Sequence, residues 1–271
     1  MTELQTRLLN MFRYFHSFCE EHGLRYYGIG GTFLGTVRHG GFIPWDDDLD
    51  VGMPRADYEK LRSRASEISS EYALEMPDSP DKKFLYAFGK LYDTKTTSIE
   101  LTRVRCKRGI YIDIFPLDGI GDDVETAKKN YRPIVKKLNL LATRVCVLRK
   151  GRKFYKNAAI VACRLIPSFI INEKKLCQEI DRMAARIDFD TSAYVGNLVS
   201  TYTYKEIMPR EIMGTPTLYK FEDTVMYGPE KADEYLTQIY GNWKQPPPLE
   251  KRTGGHPYAY QDLNKSYLEE D

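Results

Sequence analysis

The amino-acid sequence predicts an α/β (α+β) fold, in which a core of alternating strands and helices carries a helical insertion. Two observations lead to this prediction. In roughly the first 120 residues, segments with apolar residues at helical spacing alternate with short segments of strand-like pattern. From residue 122 to about residue 187, helical patterns dominate. We therefore expect a core over residues 1–121, a basic helical region over 122–200 and a C-terminal segment over 201–271 that returns to the core.

The first half of the chain opens with an amphipathic helix. Its apolar residues recur from Leu4 to Cys19, and His22-Gly23 ends it. Gly30-Gly31-Thr32 then turns a strand into a short helix, and Pro54 marks the first turn of another helix. In chain order, the patterns predict a helix over 4–22, a strand over 24–29, a helix over 32–39, a strand over 45–51 and a helix over 54–70.

The remaining segments are interpreted in the same way. Asp93-Thr94-Lys95 joins two strands, a third strand ends at Pro116, and Pro133 predicts a break or kink in the long helix that follows. Residues 241–264 are too rich in Pro and Gly for regular structure. The predicted elements are strands over 84–92, 96–101 and 109–115, and helices over 122–150, 155–167, 172–187 and 229–240.

The composition is that of a globular protein. The chain has 271 residues, of which 42% are hydrophobic and 29% charged, and this excludes disorder, collagen and coiled coil as the overall class. Lys and Arg total 40 against 38 Asp and Glu, which disfavours a general nucleic-acid coat. Five widely spaced cysteines without a CxxC motif favour a reduced, cytoplasmic compartment over a disulfide framework or a zinc site. The sequence predicts neither a signal peptide nor a membrane span.

The most informative residues form the acidic segment 45–52, WDDDLDVG. If this segment is a strand, Asp46, Asp48 and Asp50 share one face and Asp47 lies on the other. Like charges so close repel each other, and a divalent cation such as Mg²⁺ or Mn²⁺ would neutralise them. The alternative is a surface strand or an acidic turn. An EF-hand is excluded because, with Asp46 counted as the first position of the loop, the twelfth is Asp57 rather than Glu.

Two neighbouring features favour a phosphate site beside these carboxylates. Gly30, Gly31 and Thr32 end a strand and open a helix, where backbone N–H groups and a hydroxyl can hold phosphate. The spacing fits neither the dinucleotide fingerprint nor a Walker loop, so a simple tight turn is the alternative. Downstream, Asp113 is the one acidic residue of an apolar strand, and it is either a third carboxylate of the site or an edge residue.

At this point the residues resemble a known family. Residues 30–51 read GGTFLGTVRHGGFIPWDDDLDV, followed by FGK at 88–90 and IDIFPLD at 112–118. This looks like the signature of the LicD family of phosphocholine transferases, which is similar to the fukutin-type proteins and belongs to the nucleotidyltransferase-fold superfamily. The resemblance is close over the first 120 residues and loose over about 220–256. The region 122–200 offers no motif, and Asn242 stands where the family commonly has an acidic residue.

The resemblance implies a nucleotidyltransferase-like mixed sheet with flanking helices and a metal-dependent active site. The superfamily's glycine turn falls on Gly30 and Gly31, and its three carboxylates fall on Asp48, Asp50 and Asp113. These three are the predicted catalytic residues and the predicted ligands of Mg²⁺ or Mn²⁺, with Asp113 as the best candidate to accept a proton. The predicted substrate-binding residues are Gly30, Gly31, Thr32, Arg38, Lys90 and Asp46. For Arg38 and Lys90, a solvated surface charge is the alternative.

The resemblance also implies a reaction. It is the transfer of phosphocholine from CDP-choline to a sugar hydroxyl of a cell-surface glycan, of teichoic acid or lipopolysaccharide type, or of its lipid-linked precursor, with release of CMP. Three alternatives stay open: transfer of ribitol or glycerol phosphate from a CDP donor, a nucleotidyltransferase acting on a small molecule or RNA, and a non-enzymatic metal-binding module. We expect no nucleic-acid partner, because residues 38–45 look specific to the LicD type.

A basic segment lies outside the motifs. Between residues 126 and 165 there are twelve Lys or Arg and no Asp or Glu, with apolar residues interleaved. Such a region either docks on an anionic membrane face or is an ordinary solvated helical layer. The first alternative predicts a cytoplasmic protein that is peripheral at the inner face of the cell membrane.

Overall fold

The computed structural model describes residues 1–148, 150–252 and 255–269. Helices and strands are distributed along the whole of this part of the chain. The helices are α1 Glu3–His22, α2 Gly30–His39, α3 Arg55–Ser63, α4 Val124–Val145, α5 Phe154–Leu165, α6 Glu173–Ala184, α7 Arg210–Met213 and α8 Ala232–Tyr240. The strands are β1 Tyr27–Gly28, β2 Asp50–Pro54, β3 Tyr72–Glu75, β4 Gly89–Asp93, β5 Thr97–Glu100, β6 Lys107–Arg108, β7 Tyr111–Gly121, β8 Tyr194–Gly196, β9 Met208–Pro209, β10 Thr217–Phe221, β11 Thr224–Gly228 and β12 Tyr258–Asp262.

The main sheet has the strand order β1-β2-β7-β4-β3, and β8 and β9 extend it beside the far end of β7. Strand β2 runs parallel to β7, whereas β4 pairs with β7 and with β3 in antiparallel fashion. Two smaller sheets, β10-β11 and β12-β5-β6, complete the fold. The predicted α/β (α+β) class with a mixed sheet and flanking helices is therefore confirmed.

Helix α1 forms as its sequence predicts. Thr2 and Gln5 cap its first turn reciprocally, and Gly23 ends it with a left-handed backbone at φ 59°. Its apolar stripe, which includes the buried Phe12 and Phe15, packs in one cluster with residues of the main sheet. This contact fixes the sheet whose strands carry the candidate site.

The strand predicted over 45–51 is wrong in its position. The structure begins β2 at Asp50 and continues it to Pro54, while residues 45–49 are irregular. The buried side chain of Gln5 explains the difference, because its Nε2 donates to the carbonyls of Ile43, at 3.3 Å, and of Asp46, at 3.0 Å. These backbone groups are satisfied by a side chain rather than by a neighbouring strand.

Three other boundaries in the core differ from the prediction. The helix predicted over 54–70 ends at Ser63, and a 3₁₀ turn and the unpredicted strand β3 follow it. The strand predicted over 84–92 is confined to Gly89–Asp93. The strand predicted to end at Pro116 continues to Gly121. Pro116 lies after the residues of β7 that pair with β4 and before those that pair with β8, and Met53 of β2 stands opposite it.

The second half follows the predicted helical pattern with shorter elements. Helix α4 continues through Pro133 and ends at Val145 instead of residue 150. The expectation of no regular structure over 241–264 is wrong, because β12 at Tyr258–Asp262 pairs with β5. Among the described residues, we find no helix whose length and apolar character would suffice to cross a membrane.

Candidate active site

A row of charged side chains crosses the centre of the main sheet. Asp50 of β2 stands opposite Asp113 of β7, and Asp113 stands opposite Lys90 of β4. Residues in such direct register lie on the same face of a sheet. The Nζ of Lys90 is 2.8 Å from Oδ1 of Asp113, so the row ends in an ion pair.

The acidic turn at residues 46–48 lies beside this row. Carboxylate oxygens of Asp46, Asp47 and Asp48 lie within 4.8 Å of one another. The expectation that Asp47 lies on the opposite face is therefore wrong, since the segment is a turn and not a strand. The backbone N–H of His256 donates to Asp47 at 2.8 Å, and the ring Nδ1 is 3.7 Å from Asp48. A residue from the C-terminal segment thus reaches the acidic turn.

The two glycines of the predicted phosphate turn lie against the carboxylates. A Cβ atom at Gly30 would be 3.7 Å from Asp50 Oδ2, and one at Gly31 would be 3.1 Å from Asp46 Oδ2. Gly30 has a φ of 55°, which residues other than glycine rarely adopt. Helix α2 begins at this point without a side-chain cap. The N–H of Gly30 donates to the hydroxyl of Tyr235 at 3.0 Å. The next N–H groups at the start of the helix have no acceptor within the helix, and they lie beside the acidic side chains.

Two predicted substrate-binding residues lie away from the carboxylates. Thr32 is buried, and its hydroxyl accepts a hydrogen bond from the backbone N–H of Asp50 at 2.8 Å, so here it positions the start of β2. Arg38 lies at the end of α2, where it donates to the carbonyl of Trp243 at 3.1 Å. Neither is among the residues lining the cavity described below. Their contact with substrate stays a prediction.

Lys90 is held in an aromatic environment. Its side chain is 2% exposed, and its Nζ lies 3.3 Å from the ring centre of Tyr111 and 4.4 Å from that of Tyr86. It also contacts Glu100 at 3.2 Å. Burial lowers the pKa of Lys90, but the charges of Asp113 and Glu100 outweigh this effect, so the pKa is raised and the ammonium stays charged.

These groups line one cavity of about 720 Å³. That volume is in the range of pockets that hold small ligands and cofactors. Asp46, Asp48, Asp50, Asp113, Gly30, Gly31 and Lys90 all contribute to its walls, so the structure brings together seven of the predicted site residues. The cavity also receives residues from the helical region, among them Val145, and from the C-terminal segment, among them His256.

The sequence did not identify one wall of this cavity. Tyr202 and Tyr240 meet there with hydroxyl oxygens 3.0 Å apart and ring planes at 79°. Glu206 is 3% exposed, and burial raises its pKa to about 7. No motif marks Tyr202 or Glu206, and only the packing of α8 against the turn at Thr203–Glu206 reveals them.

Carboxylate oxygens are the donors that a hard divalent cation takes. Among the described residues, the three carboxylates that lie within 4.8 Å of one another are Asp46, Asp47 and Asp48, and this group shares only Asp48 with the predicted ligand set. Burial, followed by the charges of Asp48 and Asp113, raises the pKa of Asp50 well above its usual value. Burial and the charge of Asp48 likewise raise the pKa of Asp46 to about 7. Repulsion of this kind between oxygen ligands falls when they share Mg²⁺ or Mn²⁺. By contrast, hydrogen bonding to Asp47 raises the pKa of His256 to about 9, which adds a positive charge at the rim.

Comparison with known proteins agrees with this geometry. Residues 23–136 match the nucleotidyltransferase domain of the LicD/FKTN/FKRP family. The lipopolysaccharide cholinephosphotransferase LicD of Haemophilus influenzae is 27% identical over 262 residues, which cover 94% of this chain and 96% of that protein. The human ribitol 5-phosphate transferase FKRP is 49% identical over 53 residues, which cover 18% of this chain and 11% of that protein.

The matched domain contains the whole charged row, the glycine turn and the acidic turn. The wall formed by Tyr202, Tyr240 and Glu206 lies outside the matched domain. The alignment with the bacterial relative, which covers 94% of this chain, includes that wall. The chain therefore contains a nucleotidyltransferase domain of the LicD/FKTN/FKRP family over residues 23–136, and this domain carries the glycine turn and the carboxylate row.

Proposed function

We propose that this protein transfers phosphocholine from CDP-choline to a sugar hydroxyl of a cell-surface glycan or its lipid-linked precursor, and releases CMP. The observation that carries the proposal is the row Asp50–Asp113–Lys90 at a cavity wall next to the glycine turn. The name of the Haemophilus influenzae relative, a lipopolysaccharide cholinephosphotransferase, supports phosphocholine as the transferred group.

The proposal includes a divalent cation, Mg²⁺ or Mn²⁺, held by Asp48, Asp50 and Asp113. When bound, such an ion neutralises the charge of the donor pyrophosphate. Asp46 lies close enough to Gly31 to join the ligand set or to orient it.

The protein's own groups would divide the remaining tasks. The uncapped N-terminus of α2 at Gly31 offers backbone N–H groups to a phosphate oxygen. Burial raises the pKa of Asp113, and the ammonium of Lys90 at 2.8 Å opposes this shift. Lys90 thus favours the ionised form of Asp113, which is the form that accepts the proton of the acceptor hydroxyl. Lys90 is therefore a positioning residue for Asp113 in this scheme, in place of the phosphate ligand that the sequence suggested.

The headgroup would lie against Tyr202 and Tyr240. A quaternary ammonium is held by aromatic faces, and those of Tyr86 and Tyr111 already face the ammonium of Lys90. Tyr202 and Tyr240 line the same cavity. Glu206 behind them adds negative charge when it is ionised. Replacing Tyr202 with Ala should therefore raise KM for CDP-choline more than for a donor with an uncharged headgroup, such as CDP-ribitol.

One alternative has its own support. The similarity to the human ribitol 5-phosphate transferase FKRP favours a phospho-alditol, such as ribitol or glycerol phosphate, as the second candidate group. A donor screen separates the candidates. Purified protein is incubated with Mg²⁺ and CDP-choline, CDP-ribitol, CDP-glycerol or a nucleoside triphosphate, and CMP and pyrophosphate are measured. We expect CMP from CDP-choline and none with Asp50→Asn, whereas pyrophosphate without CMP would overturn the proposal.

A further inference from the structure

We propose that helix α5 and the chain on either side of it dock this protein on an anionic lipid bilayer. The docking surface consists of exposed apolar side chains with basic residues around them. The apolar members are Leu148, Phe154, Val161, Leu165, Phe169 and Ile170. The proposal goes beyond the transfer reaction and does not depend on which donor the protein uses.

The first observation is the exposure of large apolar side chains. Ile160 is the one fully buried residue of α5, whereas Phe154 is 86% exposed and Leu165 is 78% exposed. Phe154, Ala158, Val161 and Leu165 follow one another at intervals of four, three and four residues, so they form one stripe along the helix. The loop after α5 continues it with Phe169, which is 87% exposed. A globular protein does not ordinarily leave such a row of side chains in water.

The second observation is the charge around this stripe. The chain has no Asp or Glu for 47 residues, from 126 to 172, while the same segment holds twelve Lys or Arg. Lys150, Lys153 and Lys156 are exposed, and Arg149 lies outside the described residues. The next acidic residue, Glu173, is buried and paired with Arg103 and Arg144. The exposed charge of the segment is therefore of one sign, which suits an anionic membrane face.

The third observation is that the surface is firmly attached to the rest of the protein. Arg144 of α4 is buried, and its Nη1 donates to the carbonyls of Cys163 and Ile166, each at 2.7 Å. Its Nη2 donates to the carbonyl of Ile171 at 3.1 Å. One guanidinium thus holds the last turn of α5 and the loop behind it against α4. The end of α4 also contributes Ala142 and Val145 to the cavity, so a docked surface would fix the orientation of the cavity to the bilayer.

A bilayer fits these observations better than a nucleic acid or a protein. Base stacking would use Phe154 and Phe169 but has no use for the aliphatic Leu165. A protein partner would need a matching socket for each protruding side chain, together with a purely acidic rim. The boundary of a bilayer accepts separate protruding side chains without such sockets, and its anionic headgroups supply the charge.

Vesicle co-sedimentation tests the proposal. The full chain is mixed with vesicles of phosphatidylcholine alone or of phosphatidylcholine with phosphatidylglycerol, at NaCl from about 0.05 M to about 0.5 M. We expect binding to the anionic vesicles that weakens as salt rises. The double variant Phe154→Ser/Phe169→Ser should lose about tenfold in partition, because each phenylalanine gives up apolar burial in the bilayer. Lys153→Glu/Lys156→Glu should lose a similar factor at low salt.

Matched controls come from strand β10, whose Leu218 is 53% exposed and whose Lys220 is also exposed. Leu218→Ser and Lys220→Glu should bind vesicles as the wild type does. All variants should keep the wild-type circular dichroism and melting temperature, since the replaced side chains are exposed. Absence of vesicle binding, unchanged binding by both double variants, or binding only to RNA would each overturn the proposal. So would a dimer that dissociates in Phe154→Ser/Phe169→Ser.

Discussion

Asp50 and Asp113 stand side by side in the same row, yet their replacement should change stability with opposite signs. Burial, followed by the repulsion of Asp48 and Asp113, raises the pKa of Asp50. Burial also raises the pKa of Asp113, but Asp113 has the ammonium of Lys90 at 2.8 Å, which opposes the shift. In a buffer without divalent cations, Asp50→Asn should therefore raise the melting temperature by roughly 2–4 °C, because it removes repulsion of order 1 kcal/mol.

Asp113→Asn should act in the other direction. It leaves the buried ammonium of Lys90 with Glu100 as its remaining acidic partner, and breaking such a pair costs about 3 kcal/mol. Differential scanning calorimetry of both variants measures whether the melting temperature rises in Asp50→Asn and falls in Asp113→Asn. Both should be inactive, and added Mg²⁺ should raise the melting temperature of the wild type alone. Equal destabilisation by the two variants would contradict the charge assignment of the row.

Glu206 makes stability depend on pH. Burial raises its pKa from 4.5 to about 7 in the folded protein, so the folded state binds a proton that the unfolded state releases. The free energy of unfolding should therefore fall between pH 4.5 and pH 7 by up to about 3 kcal/mol, and stay low above that range. Glu206→Gln should lack this loss and gain stability over the wild type at pH 8 but not at pH 4. Urea denaturation of the variant and the wild type at both pH values measures this difference in the free energy of unfolding. If the difference were the same at pH 4 and pH 8, the assignment of the pH dependence to Glu206 would be refuted.

At the scale of elements, two variants at the start of α2 distinguish the effect of backbone strain from the effect of a changed site geometry. Gly31 has an ordinary helical backbone, but the Cβ atom of Gly31→Ala would lie 3.1 Å from Asp46 Oδ2. We expect an unchanged melting temperature and a loss of about tenfold in kcat/KM, since the carboxylate must move. Gly30→Ala is the matched contrast, because its φ of 55° costs a side chain roughly 1–2 kcal/mol. If Gly31→Ala kept full turnover, Asp46 would have no part in the site.

The elements also explain what the sequence can predict. Helices such as α1 and α6 follow from local periodicity and caps, which are contained in a few consecutive residues. The acidic segment misleads, because alternating Asp residues imitate a strand while the side chain of Gln5 fixes the segment as a turn. Strand β12 is hidden for a different reason. Its partner β5 is far away in the sequence, and no local pattern encodes that pairing.

The site shows the same division. The sequence allows one to predict that the glycine turn and the carboxylates Asp48, Asp50 and Asp113 meet at one cavity, because they lie in short motifs that carry the family resemblance. The partners of Lys90 could not be predicted, since they depend on the register of β4 against β7. Tyr202 and Glu206 come from a region without a motif, and they join the site through tertiary packing.

At the scale of the whole molecule, the nearly equal totals of 40 basic and 38 acidic residues conceal a separation of charge. Acidic groups meet at the cavity, and the acid-free segment 126–172 contributes residues 142 and 145–147 to one of its walls. The predicted core, the helical region and the C-terminal segment all contribute walls to that cavity. The arrangement suits an enzyme that receives a small charged donor in the cavity and a larger acceptor from the basic side.

The most direct test of phosphocholine transfer is the position of isotope in the products of donor hydrolysis. Without an acceptor, water replaces the sugar hydroxyl, and CDP-choline is cleaved in H₂¹⁸O with Mg²⁺ present. Attack at the phosphorus next to choline leaves ¹⁸O in phosphocholine and none in CMP, which is the predicted result in ³¹P NMR and mass spectra. Asp50→Asn should yield neither product above background. Appearance of ¹⁸O in CMP would mean attack at the nucleotide phosphorus, and it would contradict the assignment of this protein as a phosphocholine transferase.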